Sequence, residues 1–167
     1  TATEFFRTLF DYVAPIFDRS DRIGFCFSYP TEILPSRDGR LIRLCKEITV
    51  SGVEGMMVGQ SLLAAAAERG YDISSKSIAL LNDTVAALLA GLGTPAARRY
   101  GTVIGFILGT GTNCCYSEAA ANIARLPQGQ SGTQIVNIEM GGLTVCPQGE
   151  LDRVLDAASQ DPGAYLF

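Results

Sequence analysis

Histidine is absent from this sequence of 167 residues, and its five cysteines include no C-x-x-C pair. Zinc-ligand spacing and a Cys/His nucleophile are therefore excluded, and any general base must be another residue type. An odd number of cysteines in apolar surroundings such as "GFCFSYP" is typical of buried, reduced thiols in a cytoplasmic protein. These cysteines are Cys26, Cys45, Cys114, Cys115 and Cys146.

The sequence also lacks a long apolar run and an excess of basic residues. No run approaches the roughly 18 residues that span a bilayer, and the first residues lack the features of a signal peptide. The net charge of −4 indicates no basic face for nucleic acid. We therefore expect a soluble, cytoplasmic protein without a membrane span and with a small-molecule partner. The length allows one core or pieces of two adjoining lobes.

The first half of the chain alternates helical and strand-like patterns. Residues 3–19 have apolar residues at helical spacing, with Pro15 near the far end, and residues 22–30 form an apolar run that predicts a buried strand. Asp38-Gly39 is a hairpin signal before a second predicted strand at 40–48. A helix is predicted from Ser51, with Glu54 at capping-box spacing, to Gly70.

The second half begins with a short apolar strand, 76–82, that leads directly into a helix over 83–91. Strand-like runs follow at 100–109, 110–118 and 133–139, and an amphipathic helix is predicted at 150–158. The pattern indicates an α/β fold with hairpins.

Asn82 and Asp83 stand between that strand and that helix, and two interpretations remain open. Either side chain suits the free N–H groups at a helix start. Ligands of open α/β sheets also collect beyond the carboxyl ends of strands. In a site, Asp83 would accept a proton from a substrate hydroxyl during phosphoryl transfer, and Asn82 would bind a neighbouring hydroxyl.

The segment "LGTGTN", residues 108–113, also has two interpretations. It is an ordinary hairpin turn, or it is a phosphate cradle in which glycines turn N–H groups inward and threonine hydroxyls add donors. It is not a Walker A loop, because no Gly-Lys-Ser/Thr is present.

Three further polar residues lie in or near predicted strands. Glu139, at the end of an apolar strand, is either a surface carboxylate or a paired one. Lys46 is either a solvated lysine or a ligand, and Ser28 needs a hydrogen-bond partner within an apolar run. Together with Asn82 and Asp83, these groups suit a polyol.

The motifs "FSYP", "LCKEI", "LLNDTVAAL", "ILGTGTNCCY" and "VNIEMGG" occur in this order. The sequence resembles the hexokinase and glucokinase family of the sugar kinase, actin and Hsp70 superfamily, whose motifs read F-S-F-P, W-T-K-G-F, V-N-D-T-V, I-G-T-G-T-N-A-C-Y and I-N-T-E-W-G. The resemblance implies a partial ribonuclease H-like (actin-like ATPase) fold, a mixed sheet with flanking helices.

The resemblance also implies an ATP- and Mg²⁺-dependent hexose kinase of glycolysis, with glucose as the first candidate and no metal ligand assigned in this chain. Asp83 would be the base for the 6-hydroxyl. The residues that would hold the sugar are Ser28, Lys46, Asn82, Asn113 and Glu139. Gly109, Thr110 and Gly111 would face the ATP phosphates.

Four positions depart from the family motifs: Cys45, Glu47, Ile138 and Met140. A non-catalytic sugar-sensing or actin-like interaction domain is therefore the alternative. Because other family segments are absent, the resemblance implies a fragment from the middle of a longer chain that is inactive alone. Residues 1–81 would belong to the small lobe, and 82–167 would begin the large lobe.

Overall fold

The computed structural model describes residues 1–44, 48–109, 111–142, 147–159 and 162–163. The chain divides into two compact units, Thr1–Asn82 and Asp83–Phe167. The assignment of residues 1–81 and 82–167 to the two lobes of a kinase stays a prediction.

The first unit combines a parallel and an antiparallel strand pair with two helices. Its elements are α1 (Ala2–Val13), β1 (Arg22–Cys26), β2 (Thr31–Ile33), β3 (Gly39–Leu41), α2 (Val58–Glu68) and β4 (Ser77–Leu81). β1 pairs with β4 in parallel, with Cys26 opposite Leu81, and β2 pairs with β3 in antiparallel orientation. The Asp38-Gly39 hairpin is thereby confirmed.

α1 confirms the predicted first helix, and it ends at Val13, two residues before Pro15. Thr1 and Glu4 form a capping box at its start, and the chain continues from Ala14 to Arg19 as a 3-10 helix that contains Pro15. Proline cannot donate the next helical hydrogen bond, so the α-helix does not continue through it. The core of the first unit is apolar and includes Phe6, Phe10, Phe17, Leu41, Val53, Leu62 and Leu80.

The predicted start of the second helix at Ser51 is wrong. Residues 51–55 form turns in which Gly52 and Gly55 have φ values of 79° and 82°, outside the helical range. α2 begins at Val58, and its first N–H groups are bound by the carboxylate of Asp38, which precedes them by about 20 residues. The predicted end is confirmed, because Gly70 has φ 85° directly after the helix.

Two strand predictions need correction. The strand expected at 40–48 ends at Leu41, residues 42–44 are not in a strand, and residues 45–47 lie outside the described chain. The strand expected at 22–30 ends at Cys26 and is not fully buried, because alternate residues face outward from the β1–β4 pair. Cys26 is therefore exposed rather than buried.

The second unit confirms the strand and helix order predicted for the second half. Its elements are α3 (Asp83–Leu92), β5 (Ile104–Leu108), β6 (Thr112–Ala119), β7 (Thr133–Asn137) and α4 (Glu150–Ala157). The strands form an antiparallel sheet in the order β5-β6-β7. α3 packs on this sheet, with Leu88 and Cys115 buried between them.

The two units together are a mixture of helices with parallel and antiparallel strands, as the sequence predicts. In the described part of the chain, every helix is too short or too polar to cross a bilayer.

Candidate active site

Ser28 and Asn82 come to the same edge of the first unit. β1 and β4 run in parallel, and the backbone N–H of Phe27 donates to the carbonyl of Leu81 at 2.9 Å. Ser28 and Asn82 each follow directly, so both lie at the carboxyl end of the strand pair and are partly buried. Such an edge is the usual position for ligands in α/β sheets.

Asp83 is the first residue of α3, and the second unit fixes this helix start closely. The Oδ1 atom of Asp83 accepts hydrogen bonds from the backbone N–H of Thr84 at 2.7 Å and from its hydroxyl at 3.2 Å. The carbonyl of Thr84 in turn accepts from the thiol of Cys115 on β6 at 3.2 Å. Burial raises the pKa of this thiol, so at neutral pH it is a neutral donor.

Gly105 permits the close approach of α3 to the sheet. A Cβ atom at this position would lie 2.6 Å from the carbonyl oxygen of Thr84 and 2.9 Å from the Sγ atom of Cys115. Any side chain would push the first turn of α3 outward, so Gly105 fixes the height of Asp83 above the sheet.

The face of the sheet beneath that first turn carries two asparagines. Cys115 on β6 is opposite Gly105 on β5 and opposite Asn137 on β7. Directly paired residues share a face, as do residues two apart on one strand. Asn137 and Asn113 therefore lie on the same face as the Cys115 thiol that contacts α3.

Asn113, Asn137 and Glu139 form a connected hydrogen-bond cluster. Asn113 Nδ2 donates to Asn137 Oδ1 at 2.8 Å and to Glu139 Oε1 at 3.3 Å. Asn137 Nδ2 donates to the same Glu139 Oε1 at 2.6 Å. Two residues that are 26 positions apart in sequence thus meet, because β6 and β7 are paired. Glu139 is therefore both a surface carboxylate and a partnered one, so the two interpretations hold together.

Asn113 uses its full hydrogen-bonding capacity within the described chain. Besides the two bonds from its Nδ2, its Oδ1 accepts from the backbone N–H groups of Cys114 at 2.8 Å and Met140 at 3.4 Å. A sugar hydroxyl that bound Asn113 would have to replace one of these four bonds.

Glu139 has a different position in the cluster. Its side chain is exposed, its backbone has φ 55°, and the described residues make hydrogen bonds to its Oε1 only. A left-handed non-glycine residue costs roughly 1–3 kcal/mol and is common where a ligand is held. The described residues thus leave Oε2 of this exposed carboxylate without a hydrogen bond.

β5 and β6 pair in antiparallel orientation up to Leu108 opposite Thr112, so the hairpin interpretation of "LGTGTN" is confirmed; its role as a phosphate cradle stays a prediction. The backbone N–H of Gly109 donates to the carbonyl of Gly111 at 3.1 Å. The φ angle of Gly109 lies outside the left-handed region, so its backbone conformation does not require a glycine at this position. A Cβ at Gly111 would meet no described heavy atom within 4 Å.

The predicted site residues thus fall into three groups. Ser28 and Asn82 lie on one sheet edge of the first unit. Asp83, Gly109, Gly111, Asn113 and Glu139 belong to the second unit, whereas Lys46 and Thr110 lie outside the described residues. Within the described chain no three metal-binding side chains come together.

Sequence reasoning missed Asn137. Its position two residues before Glu139, within the strand predicted at 133–139, is the signal that would have shown it.

Comparison with known proteins gives the same family over both units. Two family profiles described as hexokinase match residues 1–92 and 103–167. The hexokinase-like 1 protein of Arabidopsis thaliana is 38% identical over 154 aligned positions, which cover 89% of this chain and 29% of that protein. Human hexokinase-1 is 34% identical over 174 aligned positions, which cover 95% of this chain and 18% of that protein. The chain thus spans less than a third of these relatives.

Two similar solved structures are also hexokinases. A hexokinase from Schistosoma mansoni, complexed with glucose, has a TM-score of 0.78 at 26% identity, covering 98% of this chain and 38% of that one. Another hexokinase crystal structure has a TM-score of 0.67 at 29% identity, covering 96% and 36%. The fold is accordingly part of the actin-like ATPase fold. The chain belongs to the hexokinase family.

Proposed function

We propose that the complete protein containing this chain phosphorylates a hexose, with glucose as the first candidate, at its 6-hydroxyl at the expense of ATP. The observation that carries the proposal is the hydrogen-bonded cluster of Asn113, Asn137 and Glu139, on the sheet face against which the start of α3, with Asp83, is packed. Amide and carboxylate groups in one place suit the hydroxyls of a neutral sugar.

In this mechanism Asp83 accepts the proton of the 6-hydroxyl as its oxygen attacks the transferring phosphoryl group. The hydrogen bonds from Thr84 hold Oδ1, which fixes the direction in which the carboxylate points. Fixed orientation matters, because a catalytic group contributes only when it is within hydrogen-bond reach of the proton it removes.

By resemblance to the family, sugar-binding groups are proposed in each of the two units. Glu139 accepts from sugar hydroxyls through Oε2, and Asn113 supports that carboxylate. Asn82 and Ser28 suit hydroxyls at the strand edge of the first unit, and Lys46 is proposed as a donor by resemblance to the family. Residues 1–81 and 82–167 would then belong to the small and large lobes.

The nucleotide would lie with its phosphates beside Gly109, Thr110 and Gly111, where the open space at Gly111 permits close approach. Mg²⁺ on the ATP phosphates would neutralise charge on the transferring group. A cytoplasmic location is part of the proposal, in keeping with the free thiols Cys26, Cys114 and Cys115. A fluorescent fusion of the complete protein tests that location.

The experiment is coupled ADP release by the complete protein with Mg²⁺-ATP and a panel of hexoses. We expect release that depends on a hexose with a free 6-hydroxyl and that stops with the 6-deoxy analogue. Hexose binding without ADP release would instead identify a sugar-sensing domain, which the departures Ile138 and Met140 beside Glu139 make a specific second candidate.

The phosphate loop has its own test. In Gly109→Ala the new Cβ would lie 3.8 Å from the carbonyl of Gly111, an ordinary contact, so the fold should survive. We expect the KM for ATP to rise about 10-fold or more, because the methyl group occupies space beside the phosphates. Gly101→Ala, outside this loop, is the matched control, since a Cβ there would meet nothing within 4 Å. An unchanged KM for ATP would contradict the cradle.

A further inference from the structure

Asn137 occupies the centre of the cluster and uses both ends of its amide. Its Oδ1 accepts from Asn113 at 2.8 Å, and its Nδ2 donates to Glu139 Oε1 at 2.6 Å. We propose that Asn137 is a positioning residue for hexose binding: it holds the Glu139 carboxylate so that Oε2 points to the sugar. This inference rests on the proposed function.

The chemistry of the position explains why an amide is needed. The group must accept from one neighbour and donate to a carboxylate on the other, from a short side chain at the last residue of β7. Aspartate would keep the acceptor but place a second negative charge beside Glu139. Leucine has the same branched shape and provides neither hydrogen bond.

Glu139 needs this support because its own surroundings constrain it weakly. Its side chain is exposed, and in the described chain it takes part in no ion pair. Without the bond from Asn137, the remaining bond to the carboxylate is the one from Asn113, which is longer at 3.3 Å. An exposed glutamate with one long hydrogen bond samples several rotamers, and ordering it again would cost binding free energy.

The same unit contains a matched control. Asn122 Nδ2 donates to Glu118 Oε1 at 2.8 Å, so an asparagine and a glutamate form the same kind of pair away from Glu139. Asn122 is exposed, and neither residue belongs to the cluster. Asn122→Asp and Asn122→Leu therefore repeat the chemical changes without touching the site.

The test measures glucose binding by calorimetry, and KM for glucose and for ATP, in the complete protein and in four variants. Asn137→Leu should weaken glucose binding about 10- to 100-fold, the effect of losing a hydrogen bond to a charged group. Asn137→Asp should weaken it at least as much, since it adds repulsion. The KM for ATP should change less than twofold, and the two Asn122 variants should behave as wild type.

The outcomes separate this inference from the proposed function. Glucose binding within twofold of wild type in folded Asn137→Asp or Asn137→Leu protein would overturn the positioning role, whatever happens to the melting temperature. Equal rises in the KM values for glucose and ATP would overturn it as well. If the variants lose glucose binding but the wild type releases no ADP, the positioning role stands and the kinase proposal fails. A wild type that binds no hexose would refute both.

Discussion

Asp38 in the first unit and Glu139 in the second are both carboxylates bound by N–H donors, yet their surroundings differ. Asp38 is 6% exposed and accepts from three backbone N–H groups, those of Gly39 and Gly59 at 2.7 Å and that of Gln60 at 2.9 Å. Glu139 is exposed and accepts, through one oxygen, from two side-chain amides.

The difference separates a structural carboxylate from one suited to binding. Both oxygens of Asp38 accept from backbone N–H groups, so this carboxylate joins the β2–β3 hairpin to the start of α2. The hydrogen bonds of Glu139 come from side chains and leave one oxygen for a ligand. Removing Asp38 should therefore cost stability, and removing Glu139 should cost affinity.

The largest effect on stability is expected for Asp38→Ala. It leaves three N–H groups without their acceptor in a largely buried region, and we expect the free energy of unfolding to fall by about 3 kcal/mol or more. Urea unfolding, followed by circular dichroism, measures the change. Asp38→Asn keeps one acceptor oxygen and should lose less. A loss below about 1 kcal/mol for the alanine variant would remove the contrast with Glu139.

A smaller loss is expected for Gly59→Ala. Its Cβ would lie 2.7 Å from Asp38 Oδ1 and 2.9 Å from Asp38 Cγ, and that carboxylate cannot move without breaking its hydrogen bonds. Alanine favours a helix over glycine by up to about 1 kcal/mol. We still expect a net loss of about 1–2 kcal/mol from overpacking. Stabilisation in the same unfolding experiment would show that Asp38 is not rigidly held.

The smallest effect on stability is expected for Glu139→Gln. The side chain is exposed, so the free energy of unfolding should change by less than about 0.5 kcal/mol. The KM for glucose should nevertheless rise about 10-fold or more, because a charged acceptor becomes a neutral one. A stability loss as large as that of Asp38→Ala, with glucose affinity intact, would reverse the roles that we assign to the two carboxylates.

The local elements were predictable where their signals are local. β4 and α3 follow from a continuous apolar run that passes through Asn82 into an Ala/Leu-rich helix, and both are confirmed. The start of α2 was not predictable from neighbouring residues, because Asp38 binds its first turn from across the chain. The capping-box spacing at Ser51 was a local coincidence.

The candidate site was predictable only through the resemblance. Local physics left Glu139 as a surface carboxylate or a paired one, because the pairing of β6 with β7 brings Asn113 to it. No role was predicted for Asn137, because it lies inside a strand that was predicted to be apolar. The exposure of Cys26 also depends on an outward-facing side of a strand pair that an apolar run does not reveal.

The most direct test of the account is the rate of glucose-dependent ADP release by Asp83→Asn in the complete protein, compared with the wild type. The amide cannot accept the 6-hydroxyl proton, so we expect kcat to fall at least ~100-fold while glucose binding largely survives. Turnover close to that of the wild type would show that Asp83 only starts a helix, and the proposed mechanism would be wrong.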